Sequence, residues 1–428
     1  MNTSLARWFR AAACIFLVSS SGLARAADSV KIGLNYPKTG PYFQQGLDQL
    51  RAALLATDEI NAAGGILGRR LELVIRDSQS NPEIGKRNAL ELIEQHDAKM
   101  IFGGSSTGVA LAVGEIAQQK GVPFFATLTY GQATTGAGGH RFVFRECYDS
   151  TFGANITGRY LNTHFKGKKY FYITSDYSWG TTTEDIFRKV TGTEDATVHK
   201  SIKTPFPIKD DALFKQVIAA AKAEHPDVLV IILFGTEMIK AVNVAAALGM
   251  KDYTQIVVPA LTDHMAEGAG ARNMEGVLAP MPWTWKVPYK YGYKRGQKFV
   301  EDFEKKYGVY PTTSGASAYA ILFEYKAAAE RAKSFDGARI VKALEGSRYT
   351  LLKDQQYWRK FDHQSVQTVF LMRGTSPAVV EKDKKKFDYF EIIDRMGGDE
   401  AAITLEQWVQ SRQASGKPPE LEKLPGEK

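Results

Sequence analysis

Two cysteines, Cys14 and Cys147, are all that the 428 residues contain. Cys14 falls in a stretch with the marks of a secretory leader: Arg7 and Arg10, an apolar run over residues 11–18, and Ala24-Arg25-Ala26 as an A-x-A cleavage site. The mature chain is expected to begin near Ala27 (cleavage near Ala26), in the periplasm, with a single thiol. It then holds no internal disulfide, so burial of apolar side chains has to sustain the fold even in an oxidising compartment. Long apolar runs are also lacking. Past the leader nothing approaches the roughly 20 residues of a membrane span, and the longest run, 228–234, has the length of a buried strand. The seven histidines are scattered, without H-E-x-x-H or tight Cys/His spacing, which argues against a metal site. There is no G-x-x-x-x-G-K-[ST] phosphate loop, and no cofactor is expected. Charge of one sign is scarce as well. The formal charge is +8, and without Arg7, Arg10 and Arg25 it becomes 52 basic against 47 acidic residues, a net +5. Its one cluster, Lys382-Asp383-Lys384-Lys385-Lys386, reads as a solvated face, so nucleic acid is not an expected partner.

What is present is alternation of strands and helices. Residues 30–34 read as a strand, Leu47, Leu50 and Leu54 mark a helix face, and residues 71–76 form the next strand. Asn81-Pro82 is a cap and first-position pair for a second helix, with His96 on its apolar stripe as a structural residue. A second alternating series runs through strands at 169–174, 228–234, 255–259 and 276–282. Helices follow around 299–307, 314–332 and 337–344, then two strand-like pieces at 356–361 and 368–372. Such alternation predicts parallel sheets covered on both faces, and about 400 residues imply two lobes.

The stretch 101–131, IFGGSSTGVALAVGEIAQQKGVPFFATLTYG, organises the first lobe. It reads as strand, small-residue loop, helix, strand, loop, which places two parallel strands side by side with both carboxyl ends on one edge. Ligands bind at that edge in open α/β sheets. Here the edge offers hydroxyls and free N–H groups at a helix start, a seat for a carboxylate or carbonyl oxygen. Ser106 either caps the helix or meets a ligand. Gly104-Ser105-Ser106-Thr107-Gly108 also fits G-x-S-x-G between a strand and a helix, the pattern of a hydrolase nucleophile elbow. Asp263, His264 and His363 lie downstream, so a secreted serine hydrolase using Ser106 is the alternative from another class.

Residues 60–68, INAAGGILG, are followed by a strand, Arg76-Asp77 and Asn81-Pro82. With Pro37-x-Thr39-Gly40-Pro41 and the GGSSTG loop, this resembles the solute-binding proteins of branched-chain amino-acid ABC transporters, over roughly residues 30–375. The resemblance implies an α/β fold of two Rossmann-like lobes with parallel sheets joined by three hinge crossovers, the type I periplasmic binding protein fold. The crossovers would lie near 145–151, 275–282 and 347–355. Lobe 1 would comprise 27–148 plus 281–347, lobe 2 would comprise 149–280 plus 348–376, and 377–428 would be a charged extension with a disordered end. The implied function is capture of a small organic solute (amino acid, amide, urea-like compound or organic acid) between the lobes. A monomer would deliver it to permease subunits in the inner membrane, with no chemistry on the ligand.

The same resemblance implies the site. Ser105, Ser106, Thr127, Thr129 and Tyr130 match the positions that hold a ligand carboxylate. Trp179 and Phe234 match the facing aromatics, and each is equally readable as a core residue. The family's ammonium-binding carboxylate has no match in Pro259-Ala260-Leu261. Either Asp263 moves in to do that work or the ligand has no ammonium group. Asp149-Ser150-Thr151-Phe152-Gly153 departs from the D-x-x-Q-G element in the same way.

Overall fold

The computed structural model describes residues 29–427, so the leader expected over 1–26 lies outside the described residues. Strand β1 (Ser29–Tyr36) alternates into a helix α1 (Phe43–Ala62), and β2 (Arg70–Asp77), α2 (Pro82–Glu94), β3 (Ile101–Gly103), α3 (Thr107–Lys120), β4 (Phe124–Ala126) and β5 (Val143–Arg145) follow. The strands form one parallel sheet in the order β2-β1-β3-β4-β5. Local chemistry sets the helix ends. The Asn81 side chain accepts from the Glu83 and Ile84 amides ahead of Pro82 at the first position, and Gly121 at φ 66° closes α3.

The chain then passes through Arg145 and Asp149 into α4 (Ser150–His164), β6 (Tyr170–Ser175), α5 (Ser178–Thr191), β7 (Ser201–Thr204), α6 (Ala212–Ala223), β8 (Val228–Ile232), α7 (Thr236–Ala247), β9 (Gln255–Val257), α8 (Asp263–Ala269) and β10 (Leu278–Met281). These strands belong to a second sheet, and Val228–Ile232 in its interior is wholly buried, as a strand covered on both faces should be. After β10 the helices Lys294–Tyr307 and Thr313–Ala332 return to the first lobe. There the Tyr307 hydroxyl donates to the Arg51 carbonyl (2.8 Å), and Asp48 accepts from the Gly315 amide (2.6 Å). The chain comes back through β11 (Arg348–Tyr349), β12 (Gln356–Trp358) and β13 (Ser365–Val366) to β14 (Val369–Gly374), antiparallel to β10. Lys353 pins this return: its buried ammonium donates to the Pro282 and Thr368 carbonyls (2.6 and 2.8 Å).

Three features differ from the sequence reading. The piece at 356–361 joins neither large sheet; β12 forms a separate antiparallel sheet, β11-β12-β13. It is held there by Trp358, which is fully buried edge-on to Phe125 (5.6 Å) and Phe144 (5.5 Å) and donates to Glu324 (3.1 Å). Second, residues 390–396 are a strand, β15 (Phe390–Met396), at the edge of the second sheet, whose order is β15-β14-β10-β9-β8-β6-β7. Third, the expected disordered end is placed: the Arg141 amide donates to Glu422 (3.0 Å), His140 pairs with Glu422 (2.5 Å), and Arg412 donates to the Pro418 carbonyl (2.7 Å). Its charges find partners hundreds of residues away, and a local reading of charge density does not see them.

Candidate functional site

The carboxyl ends of β1, β3 and β4 face those of β6 and β8 across the space between the sheets. Gly103 and Gly104 make the turn after β3, at φ 120° and 82°, and a Cβ on Gly103 would come 2.3 Å from the Asn35 carbonyl oxygen. Glycine is required there, and the turn delivers Ser105, Ser106 and Thr107 to the start of α3. The Ser106 hydroxyl accepts from the Val109 amide (3.4 Å), so it is the cap. The hydroxyls of Ser105 and Thr107 are buried without a hydrogen-bond partner. They sit where the N-terminal amides and dipole of α3 favour an anion.

These three residues form one wall of a small cavity with Leu128, Thr129 and Tyr130 from the loop after β4. The opposite wall is Tyr177, Trp179 and Phe234 from the second lobe, and Tyr42 of the loop after β1 closes it. Phe234 is the centre of an edge-to-face cluster, 5.3 Å from Tyr42, 5.6 Å from Tyr130 and 6.2 Å from Trp179. The Tyr42 and Tyr177 hydroxyls meet across the lobes at 3.3 Å. The enclosed volume is only about 10 Å³, room for about one water. That space is too small for an organic solute.

The structure therefore brings Ser105, Ser106, Thr129, Tyr130, Trp179 and Phe234 to one cavity and leaves two of the expected residues off its walls. Thr127 is directed inward, its hydroxyl donating to Gln49 Oε1 (2.9 Å). Asp263 opens α8, where its Oδ1 accepts from the Thr284 hydroxyl (2.8 Å) and its Oδ2 has no partner. Burial, helped by the negative charge of Asp48, pushes the Asp263 carboxyl up to about 7, against the lowering pull of Thr284 and His264. The neighbouring Thr262 accepts from Gln45 Nε2 (3.3 Å), so this cluster is a contact between α1 and α8. Between about pH 4 and pH 7 folded Asp263 keeps a proton that the unfolded chain has lost, so its contribution to stability falls as pH rises through that window. Asp263→Asn is expected to flatten this part of the profile. Urea unfolding at pH 4.5, 6 and 7.5 reads it, and an unaltered slope would count against the assignment.

Tyr42, Thr107, Leu128 and Tyr177 were missed by sequence reasoning. The available signal was position: every loop at the carboxyl edge of a parallel sheet can reach the crevice, and Tyr42 and Tyr177 both end such loops. The nucleophile-elbow alternative finds no support. Ser106 is occupied as a cap, His363 pairs with Glu345 (2.9 Å) and His264 with Glu267 (3.2 Å). Among the described residues no group of three or more His, Cys, Asp or Glu could hold a metal ion, and no helix is long and apolar enough to cross a membrane.

Residues 29–381 match the family model described as periplasmic binding protein. The chain is 26% identical over 342 residues to the Leu/Ile/Val-binding protein homolog 7 of Brucella abortus (strain 2308), covering 76% of this chain and 82% of that one. A periplasmic binding protein from Burkholderia mallei superposes with a TM-score of 0.79 at 21% identity, over 88% of this chain and 97% of that chain. A solute binding protein of an ABC transporter from Rhodopseudomonas palustris BisB5, in complex with 3,4-dihydroxy benzoic acid, does so with a TM-score of 0.75 at 21% identity, over 87% and 98%.

Proposed function

The chain belongs to the periplasmic binding protein family, and on that premise we propose that its cleft takes a small organic carboxylate lacking an α-ammonium group, for delivery to an ABC permease. One observation carries the choice of ligand. The cavity wall combines two unpartnered hydroxyls at a helix start with the rings of Tyr42, Tyr130, Tyr177, Trp179 and Phe234, and no acidic side chain stands on it. The hydroxyls of Ser105 and Thr107 and the amides of α3 receive the carboxylate. The rings receive an apolar, preferably aromatic, body. A buried ammonium would go unneutralised there, a cost that selects against amino acids. The acid bound by the Rhodopseudomonas palustris protein is of this chemical class, on the same fold.

In this reading the lobe built on β1 to β5 moves against the lobe built on the seven-stranded sheet. A monomer closes on the solute in the periplasm and presents it to permease subunits in the inner membrane. Closure desolvates the ligand and forms contacts from both lobes at once. Nothing is consumed. A thermal-shift panel of benzoate, 4-hydroxybenzoate, leucine, valine, acetamide and urea tests this. At a hundred times its dissociation constant an accepted solute is expected to stabilise the fold by about 2.7 kcal/mol. Mass spectrometry after hours of incubation is expected to return it intact. No shift with any acid, or the appearance of product, would contradict the proposal.

A further inference from the structure

The second half of the cavity wall, Leu128 to Tyr130, continues into residues 131–139, and the carboxyl-terminal segment holds that continuation. In the helix Leu405–Ala414 the fully buried Trp408 donates from Nε1 to the Thr135 carbonyl (2.8 Å). One turn later the buried Arg412 donates from Nη1 to the Gly136 and Gly139 carbonyls (2.8 and 3.1 Å), with its guanidinium over the Trp408 ring at 4.9 Å. Glu422 then takes the Arg141 amide and His140.

The other end of the segment is fastened to the second lobe. β15 extends the seven-stranded sheet, Arg159 of α4 pairs with Asp394 (2.8 Å) and Glu400 (3.0 Å), and Asn155 donates to the Ala401 carbonyl (2.8 Å). Between these anchors the helix Leu405–Ala414 is not seated on the second lobe. A groove of about 600 Å³ separates its Gln407, Gln410 and Ser411 from Ile186, Lys189 and Val190 of α5. The segment thus runs from the edge of one lobe's sheet to the ligand loop of the other, past this groove.

We infer that the carboxyl-terminal segment is a strap that positions the 127–139 loop for ligand, with Trp408 and Arg412 as its positioning residues. Neither touches the cavity; both act through the loop. The consequence for affinity rests on the proposed solute-binding reading, whereas the consequence for loop order does not. A loop released from the strap is binding-competent only part of the time, and the apparent dissociation constant rises by the inverse of that fraction.

The test uses the full chain with Arg412→Ala, Arg412→Lys and Trp408→Phe, the last keeping a buried ring while removing the N–H donor. Amide hydrogen exchange is compared between residues 127–139 and β8, and benzoate affinity is measured by calorimetry. Arg412→Ala is expected to speed exchange in 127–139 about tenfold or more while leaving β8 as it was. It is also expected to weaken benzoate binding about fivefold or more, with Trp408→Phe and Arg412→Lys intermediate in both readouts. Exchange that rises equally in β8, or that leaves 127–139 unaltered, overturns the strap whatever benzoate does. Localised exchange in a chain that binds no benzoate upholds the strap and counts against the proposed ligand.

Discussion

Arg145→Ala is expected to destabilise the protein by about 3–5 kcal/mol, seen as a fall in the urea midpoint. Arg145 ends β5 at the first passage between lobes, and its side chain is 1% exposed. Its guanidinium donates to the Gly131 carbonyl (2.6 Å), Gln364 Oε1 (2.5 Å), the Thr135 hydroxyl (2.9 Å) and Asp149 Oδ2 (2.8 Å). Truncation strands a buried carboxylate together with three acceptors, and that is why breaking a buried pair costs more than the pair contributes. The charge-free double variant Arg145→Met with Asp149→Asn keeps the side-chain oxygen that caps α4 through Thr151 and Phe152. It is expected to recover a substantial part of the loss. A single variant within about 1 kcal/mol of wild type would contradict the role given to this residue.

Ser105→Ala is expected to weaken binding of the accepted carboxylate roughly ten- to a hundredfold, which is about 1–3 kcal/mol at 1.4 kcal/mol per decade. It should leave stability unchanged, because the Ser105 hydroxyl has no partner within the fold whose loss would be felt. Ser106→Ala separates the two roles that a serine at a helix start can have. Its hydroxyl caps α3 through the Val109 amide, so its removal should cost about 1 kcal/mol of stability as well as affinity. Calorimetry and urea unfolding of the pair read both quantities. Equal stability losses in the two variants, with binding intact in Ser105→Ala, would place the ligand elsewhere.

The legible part of this fold is the part written in local chemistry. Alternating apolar runs, the Asn81-Pro82 start, the Gly121 stop and the Gly103-Gly104 turn each act within a few residues, and they fix β1 to β4 and the loop that bears Ser105 and Ser106. The wall residue Tyr42 was not legible because its role depends on Phe234 and Tyr177, from another lobe, arriving at 5.3 and 3.3 Å. Asp263 illustrates the opposite error. A carboxylate near the expected position looked available for a ligand, yet Thr284 and the contact with α1 hold it off the cavity wall. The end beyond Ser415 escapes a local reading for a related reason: Glu422 finds its partners only in His140 and the Arg141 amide. Strand β7 and helix α8 are short, and neither spans enough residues for its period to stand out.

On the proposed function the cleft accepts a carboxylate and has no place for an α-ammonium group. Calorimetric titration of the mature protein with benzoate and with leucine at neutral pH addresses it most directly. The ammonium-free acid is expected to bind at least about tenfold more tightly, a gap of about 1.4 kcal/mol, with a negative heat-capacity change from burial of its apolar body. Submicromolar binding of leucine or valine, with benzoate inert, would contradict it.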